Sequence, residues 1–134
     1  MQELLEQDPR LCWMPAEGLE LLDSCFGLEI ETLESGDTRG SAGRIGYLLC
    51  GEASIQTDCG AQLVSGSGLV GIRFGGPRGY QRDKGVLTAL TSCKVLWMPY
   101  DVMKFACHRN CWFHTRLILE IRKMLEEWAE ILKK

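Results

Sequence analysis

The stretch Arg44-Ile45-Gly46-Tyr47-Leu48-Leu49-Cys50-Gly51-Glu52 decides the fold. Its first seven residues predict a β-strand over 44–50, because apolar and aromatic side chains dominate a short segment. Gly51-Glu52 predicts a tight turn, since glycine adopts backbone conformations that other residues avoid. The residues after the turn predict a second strand over 53–57. The segment as a whole is therefore a strand-turn-strand unit.

Turn-forming residues recur on both sides of this unit. Of the 15 glycines in the chain, twelve lie between positions 40 and 85. Short segments between the turns predict further strands, from the alternation at Phe26, Leu28 and Ile30 and over 61–64, 86–90 and 94–98, and an apolar run covers 69–72. A loose stretch over 38–43 and a polar loop over 75–84 are also predicted. This pattern favours an antiparallel sandwich or barrel and excludes a helical bundle in the middle of the chain.

Helices are predicted at both ends of the strand region. Pro15 suits the first turn of a short helix that ends near Ser24, and Pro99 suits the start of another over 99–108. Asn110 is the predicted N-cap of a third helix. Apolar positions then follow a three-four spacing along this helix, at Cys111, His114, Ile118, Ile121, Leu125, Trp128 and Leu132. The predicted fold class is mainly β with flanking helices and a long C-terminal helix.

Length and charge limit the classes of function. A chain of 134 residues with 46% hydrophobic and 25% charged residues has the composition of one ordinary domain. The 15 basic residues are outnumbered by 18 acidic ones, so a strongly basic nucleic-acid surface is not supported. No segment has the length of an apolar membrane span or the character of a signal peptide. We therefore expect a cytoplasmic protein with no membrane partner.

Three motifs in this order resemble the Crp/Fnr family of bacterial transcription regulators. Residues 46–52 look like the strand-turn of its cyclic-nucleotide-binding-like domain, and Leu90-Thr91-Ser92-Cys93-Lys94-Val95-Leu96 is similar to its last strands. Cys111-Trp112-Phe113-His114, followed by Arg116-Leu117-Ile118, resembles the helix start of one subgroup. The resemblance covers roughly residues 10–132. It implies an antiparallel β-roll or jelly roll with flanking short helices over 1–110, and a dimerisation helix over 111–134.

The length and the apolar stripe of the C-terminal helix predict a homodimer formed through it, and a helix packed only on its own barrel is the alternative. The predicted interface residues are Ile118, Ile121, Leu125, Trp128 and Leu132, because a small barrel is expected to cover only the first turns of so long a helix. Members of the family continue into a helix-turn-helix domain, whereas this sequence stops at Lys134. The expectation is a chain that does not bind DNA directly by that route.

The ligand site of the family departs from its usual pattern in this chain. Ligand-binding members carry a Phe-Gly-Glu triplet and, about ten residues on, an arginine that pairs with the cyclic phosphate. The corresponding triplet here is Val70-Gly71-Ile72, and isoleucine accepts no hydrogen bond from a ribose. Arg82 lies one residue out of register with the phosphate arginine when counted back from Ala89, and Arg73 and Arg78 share the loop. We expect a degenerate cassette, no cofactor and no binding of cyclic AMP, while another small-molecule effector remains an alternative.

A different class of function depends on the cysteines and histidines. Cys107, Cys111 and His114 would share one helix face, which gives the alternative of a small metal- or redox-sensing protein. The competing interpretation places His114 in the core, bonded to a backbone carbonyl where the helix meets the barrel. The chain has seven cysteines, and most of them are expected to be buried as small apolar residues. They lie at positions 12, 25, 50, 59, 93, 107 and 111.

An enzyme is not expected. A cupin-type barrel holds its metal with histidines on barrel strands. Here both histidines, His108 and His114, lie in the C-terminal helical region. No nucleophile and base can be paired within the predicted barrel, so no catalytic residue is assigned.

Overall fold

The computed structural model of the chain describes residues 5–57, 60–66, 68–74, 80–103 and 112–133. Within these residues the polypeptide forms two α-helices of 11 and 22 residues, a short 3-10 helix and ten strands, and Leu5 and Glu6 are also helical. The helices are α1 (Ala16–Phe26) and α2 (Trp112–Lys133), and the 3-10 helix spans Tyr100–Met103. The strands are β1 (Glu29–Leu33), β2 (Thr38–Gly40), β3 (Arg44–Cys50), β4 (Glu52–Thr57), β5 (Gly60–Ser65), β6 (Leu69–Val70), β7 (Ile72–Phe74), β8 (Tyr80–Arg82), β9 (Val86–Ala89) and β10 (Cys93–Pro99).

The strands form two four-stranded sheets and one hairpin. The first sheet has the order β1-β10-β3-β6, and the second has the order β2-β9-β4-β5. Strands β7 and β8 pair separately as an antiparallel hairpin. All the pairings are antiparallel. The predicted fold class, mainly antiparallel β with flanking helices and a long C-terminal helix, is confirmed.

The first sheet separates two hydrophobic cores. Side chains alternate along β10, where Val95 and Trp97 belong to the core between the sheets and Leu96 and Met98 belong to the core beneath the helices. We call these the sheet core and the helix core. Strand β3 shows the same alternation and is therefore buried on both faces, which explains its nearly continuous apolar sequence. The molecule has three layers: helices, first sheet and second sheet.

Gly46 and Gly51 have separate steric roles in β3 and the turn that follows. A Cβ at Gly46 would lie 2.6 Å from the Trp97 ring, so the indole packs directly on the β3 backbone. Gly51 has a φ of +95°, and a Cβ there would clash with the carbonyl oxygen of Ser92. Few residues other than glycine adopt that conformation. This turn carries the chain from the first sheet to the second.

The helix core joins α1 and α2 to the first sheet. Leu19 and Leu22 of α1 share it with Leu117 and Ile121 of α2. The two helices approach closely at Gly18, where a Cβ would lie 2.7 Å from the Phe113 ring. Because α2 is part of this core, the predicted division at 110/111 separates two segments of sequence that share one core.

The segment before α1 is fixed to the sheet and to α2 by polar contacts. The buried carboxylate of Asp8 accepts a hydrogen bond from the Tyr47 hydroxyl at 2.9 Å and from the backbone N–H of Arg10 at 2.8 Å. The guanidinium of Arg10 forms an ion pair with Glu127 of α2. This hydrogen-bonded pair raises the pKa of Arg10 and lowers the pKa of Glu127.

Four predictions of local structure are wrong. Phe26 ends α1 instead of belonging to a strand, and Gly27 terminates the helix with a φ of +78°. The stretch 38–43, predicted as loose, contains β2, and the polar loop over 75–84 contains β8. Pro99 ends β10, paired with Arg44, instead of opening a helix. The following residues form the 3-10 helix, and the remainder of the helix predicted to reach His108 lies outside the described residues.

The apolar seam of α2 is turned toward its own domain. Ile121 and Leu125, two of the predicted interface residues, belong to the helix core, and Leu125 is 1% exposed. The expectation that the barrel leaves Leu125 uncovered is wrong, because Leu125 is buried in the helix core, which also contains Leu5 and Leu11 of the N-terminal segment. Ile118 packs against the same core and remains partly exposed. The side chains of the other two interface residues, Trp128 and Leu132, lie outside the described part of the chain.

The Arg10–Glu127 pair predicts a pH-dependent contribution to stability. Arg10→Gln should lower the free energy of unfolding at neutral pH by about 0.5 kcal/mol, since the pair is partly exposed. The folded-state pKa of Glu127 is lowered, so the contribution is present above the unfolded-state pKa of glutamate and is lost as the pH falls through the folded-state value. Urea denaturation at neutral pH and at about pH 2.5 measures both limits.

Arg122→Gln is the matched control, because Arg122 is exposed on the same helix. It should change the unfolding midpoint little at either pH. A loss of stability for Arg10→Gln that is the same at both pH values would contradict the ion-pair explanation.

Candidate functional site

The cassette segment begins with a turn that joins the two cores. Val70 ends β6 in the sheet core, and Ile72 opens β7 in the helix core. Between them Gly71 has a φ of +91°, and a Cβ at this position would clash with the carbonyl oxygen of Arg44. The glycine of the predicted triplet is therefore required by the local backbone.

The two apolar members of the triplet are core residues. Val70 and Ile72 are both buried and contribute hydrocarbon to the packing. Neither side chain carries a polar atom for a ribose or a phosphate. Any ligand at this turn would have to be recognised by other groups.

The predicted arginines lie on neighbouring strands but face opposite sides of the hairpin. Arg82 pairs across the strands with Ile72, and Arg73 pairs with Gln81. Cross-strand partners share a face and successive residues alternate, so Arg73 and Arg82 do not converge on one anion. The third arginine of the loop, Arg78, lies outside the described residues.

Each of these two arginines also contacts a neighbouring side chain. The Arg82 guanidinium lies over the Tyr100 ring, 4.7 Å from its centroid. With the Gln81 amide oriented so that its oxygen faces Arg73, that oxygen accepts hydrogen bonds from Nη2 and Nε at 2.9 Å. These contacts leave the guanidinium groups engaged with the hairpin and its neighbours.

Asp83, the residue after Arg82, is interpreted from the sequence only as a solvated charge that balances the arginines of the loop, and this interpretation is wrong. It is 4% exposed, and neither carboxylate oxygen has a hydrogen-bond partner in the described part of the chain. Its backbone N–H donates to Gly71 at 3.1 Å, and its carbonyl accepts from the Ser41 hydroxyl at 3.3 Å. The sequence signal was partial, since Arg82 lies one residue out of register with the phosphate arginine when counted back from Ala89. A buried carboxylate next to Arg82 opposes the binding of a cyclic phosphate.

The β7–β8 hairpin contacts the segments that lead to the C-terminal helix. The Tyr80 hydroxyl donates to the carbonyl of Met103 at 2.7 Å, which ties β8 to the 3-10 helix. Strand β7 packs directly against α2. The cassette segment is therefore in mechanical contact with the element that the resemblance identifies as the dimerisation helix.

The alternative metal site is described only at His114. This side chain is buried, its Nε2 lies 2.6 Å from the carbonyl oxygen of Val102, and its ring packs on Phe26 at 4.8 Å. A carbonyl only accepts, so Nε2 carries the proton and donates, which confirms the core interpretation of His114. Cys107 and Cys111 lie outside the described residues. Among the residues that the structure describes, no group of three or more His, Cys, Asp or Glu side chains could hold a metal ion.

The expected burial of the cysteines is confirmed at one of the four that are described. Cys93 is buried, and this burial raises the pKa of its thiol. Cys12, Cys25 and Cys50 are exposed, so their predicted burial is wrong. Cys25 lies on the exposed side of α1, opposite the buried residues of that helix. Cys50 is the last residue of β3 and is exposed there.

Neither helix within the described ranges is long and apolar enough to cross a lipid bilayer. No protein-family model matches the sequence, and no curated protein matches it.

Solved structures show the same fold at low sequence identity. A protein described as cyclic nucleotide-binding from Geobacter metallireducens GS-15 matches with a TM-score of 0.62 and 12% identity, over 94% of this chain and 96% of that chain. The N-terminal domain of a transcriptional regulator from Streptomyces coelicolor A3(2) matches with a TM-score of 0.51 and 18% identity, over 96% and 94%. A variant of CprK matches with a TM-score of 0.51 and 17% identity, over 90% of this chain and 59% of that one. The chain therefore has the fold of the cyclic-nucleotide-binding β-roll domains, which is the fold implied by its resemblance to the Crp/Fnr family.

Proposed function

We propose that this chain is a small-molecule effector-sensing domain of the kind found in Crp/Fnr regulators, with a cassette that has lost the features needed for cyclic nucleotides. The observation that carries the proposal is the contact of the β7–β8 hairpin with α2 and with the 3-10 helix. A ligand that moved the hairpin would change the packing of the C-terminal helix. Sensing requires such a connection between a binding segment and an output element.

The chemistry of the cassette supports the loss of cyclic-nucleotide binding. A cyclic phosphate needs exposed N–H groups and a cation, and the ribose needs an acceptor. Ile72 supplies hydrocarbon where the acceptor is expected, and Arg73 and Arg82 face opposite sides of the hairpin. The buried Asp83 carboxylate adds a repulsive charge. The effector is therefore a different small molecule.

The proposal includes no catalytic step. Binding and transmission use the hairpin, the 3-10 helix and α2, and no catalytic residue is assigned to these elements. The protein is proposed to act as a cytoplasmic binding module.

The proposed output is a homodimer formed through α2. The seam residues Ile121 and Leu125 pack inside their own chain, so the contact would use the outer side of the helix. Leu119 is 55% exposed there, and Ile118 beside it remains partly exposed. Exposed leucines on a long helix contribute to association when a second helix covers them.

Calorimetry with cyclic AMP and cyclic GMP tests the cassette directly. We expect no heat of binding for either nucleotide at millimolar concentration, because the acceptor and the converging cations are missing. A micromolar dissociation constant that Arg82→Ala abolishes would contradict this prediction. Arg39→Ala is the matched control, since Arg39 is an exposed arginine on β2 with a carboxylate partner of its own.

A thermal-shift screen of metabolites, followed by hydrogen exchange on each hit, tests the sensing function itself. A true effector should change the hydrogen-exchange rates of backbone amides in the β7–β8 hairpin and in α2 together, because the two elements are in contact. Hits that change protection only in the second sheet, or a screen without any hit, would contradict the proposal.

Leu119→Glu tests the dimer. It should convert a dimer into a monomer in light scattering at micromolar concentration while leaving the thermal midpoint of the monomer unchanged, since the side chain is exposed. Leu63→Glu is the matched control, because Leu63 is 78% exposed on β5 of the second sheet. A wild-type monomer, or equal effects of the two substitutions, would contradict dimerisation through α2.

A further inference from the structure

The side chain of Asp83 is exceptional among the buried polar side chains that the structure describes. Asp8 accepts hydrogen bonds from the Tyr47 hydroxyl and from two backbone N–H groups. Ser41 bonds to Asp83 and Gly85, and His114 bonds to Val102 through Nε2, so that only its Nδ1 lacks a partner within the described residues. Asp83 is equally buried, yet both of its carboxylate oxygens lack a partner within the described residues. Buried carboxylates are ordinarily paired, so a group left in this state requires an explanation.

The backbone around Asp83 holds the residue in place. Its N–H donates to the carbonyl of Gly71, and its own carbonyl accepts from the Ser41 hydroxyl. Ser41 in turn exchanges hydrogen bonds with Gly85 at 2.9 and 3.2 Å. A Cβ at Gly71 would clash with the carbonyl oxygen of Arg44, and one at Gly85 would clash with the Val70 side chain, so these segments pack closely. The main-chain hydrogen bonds of Asp83 consequently hold the residue inside the fold.

The backbone amides and carbonyls around this position are bonded to one another, and neither they nor a described cation pairs with the Asp83 carboxylate. The carbonyl oxygen of Arg44 faces Gly71, and the carbonyls of Gly71 and Gly85 are part of the same backbone cluster. The described arginines nearby are engaged elsewhere, Arg44 over the Trp97 ring and Arg82 over the Tyr100 ring. A group entering this environment gains most when it is positively charged and donates several hydrogen bonds.

We propose that Asp83 is the acceptor for a cationic effector that carries an ammonium group or a similar donor. The inference rests on the proposed sensing function and names the ligand class for that same segment. An ammonium offers three donors to one carboxylate and the adjacent carbonyls, whereas a phosphate would bring a second negative charge to a buried one. A bare metal ion fits less well, since the described residues offer no group of three ligating side chains.

The position of Asp83 also connects this acceptor to the helix. Asp83 directly follows β8, whose last residue pairs with Ile72 of β7, and Ile72 shares the helix core with Leu117 of α2. A cation drawn to Asp83 would therefore act at one end of the hairpin whose other contacts are with α2.

The test uses n-butylammonium as the probe, with n-butanol and n-butyl phosphate as the neutral and anionic analogues, at matched ionic strength. Millimolar n-butylammonium should raise the thermal midpoint of the wild-type protein by about 2 °C, and the two analogues should not. Amide chemical shifts should change at Gly71, Asp83 and Gly85. In Asp83→Asn the response to n-butylammonium should disappear.

Asp83→Asn also distinguishes a binding role from a structural one. Without ligand, this variant should unfold at the same temperature as the wild type or higher, because it removes an unpaired buried charge. A carboxylate that served the fold would instead lower the midpoint when replaced. Glu126→Gln, which removes an exposed carboxylate on α2, is the matched control and should keep the full response.

Two results would overturn the inference while leaving the sensing function intact. One is stabilisation by n-butyl phosphate in place of n-butylammonium. The other is a metabolite from the thermal-shift screen that binds Asp83→Asn as tightly as the wild type. Failure of every metabolite and of n-butylammonium on the wild-type protein would remove both the inference and the proposed function.

Discussion

The contact of the Trp97 ring with the backbone of Gly46 is the constraint on which the remaining structure depends. It brings β10 and β3, the central strands of the first sheet, into a pair that is buried on both faces. Trp97 then contributes to the sheet core, while Leu96 and Met98 on the other face contribute to the helix core. A side chain at Gly46 would clash with the indole and with Val70 and would therefore disturb the packing of the sheet core.

The same two-sided burial explains why the cassette is hydrophobic. Its turn leaves the first sheet at Val70 and enters the helix core at Ile72, so each neighbour of Gly71 is committed to a different core. A polar residue at either position would lose its hydration without a partner. In this chain the turn supports the packing of β7 on α2, and recognition has to come from the groups around it. Among the described residues near this turn, Asp83 has two side-chain oxygens without a hydrogen-bond partner.

The parts of the fold that could be predicted are those whose pattern reflects burial on a regular element. Strand β3, its Gly51 turn and β10 have apolar sequences that permit few alternatives. Strand β2 is exposed at all three residues, and β8 is a short polar strand, so neither has an apolar pattern to detect. The spacing along α2 identified its apolar face correctly but could not say which surface covers it. The covering surface is a core assembled from distant parts of the sequence, in which Leu5 and Leu11 join Leu125 only in the folded chain.

The inward orientation of the α2 seam determines how a signal could leave the domain. If the seam faced a second chain, the position of α2 would be set by its partner and the hairpin would have little influence on it. Because Leu117, Ile121 and Leu125 pack with Ile72 in one core, a change at the hairpin alters the surface on which α2 rests. Close-packed cores respond to such changes by shifting whole elements, since small voids are costly. On the proposed function, the outer side of α2 around Leu119 would then move as a unit and change its fit to a partner helix.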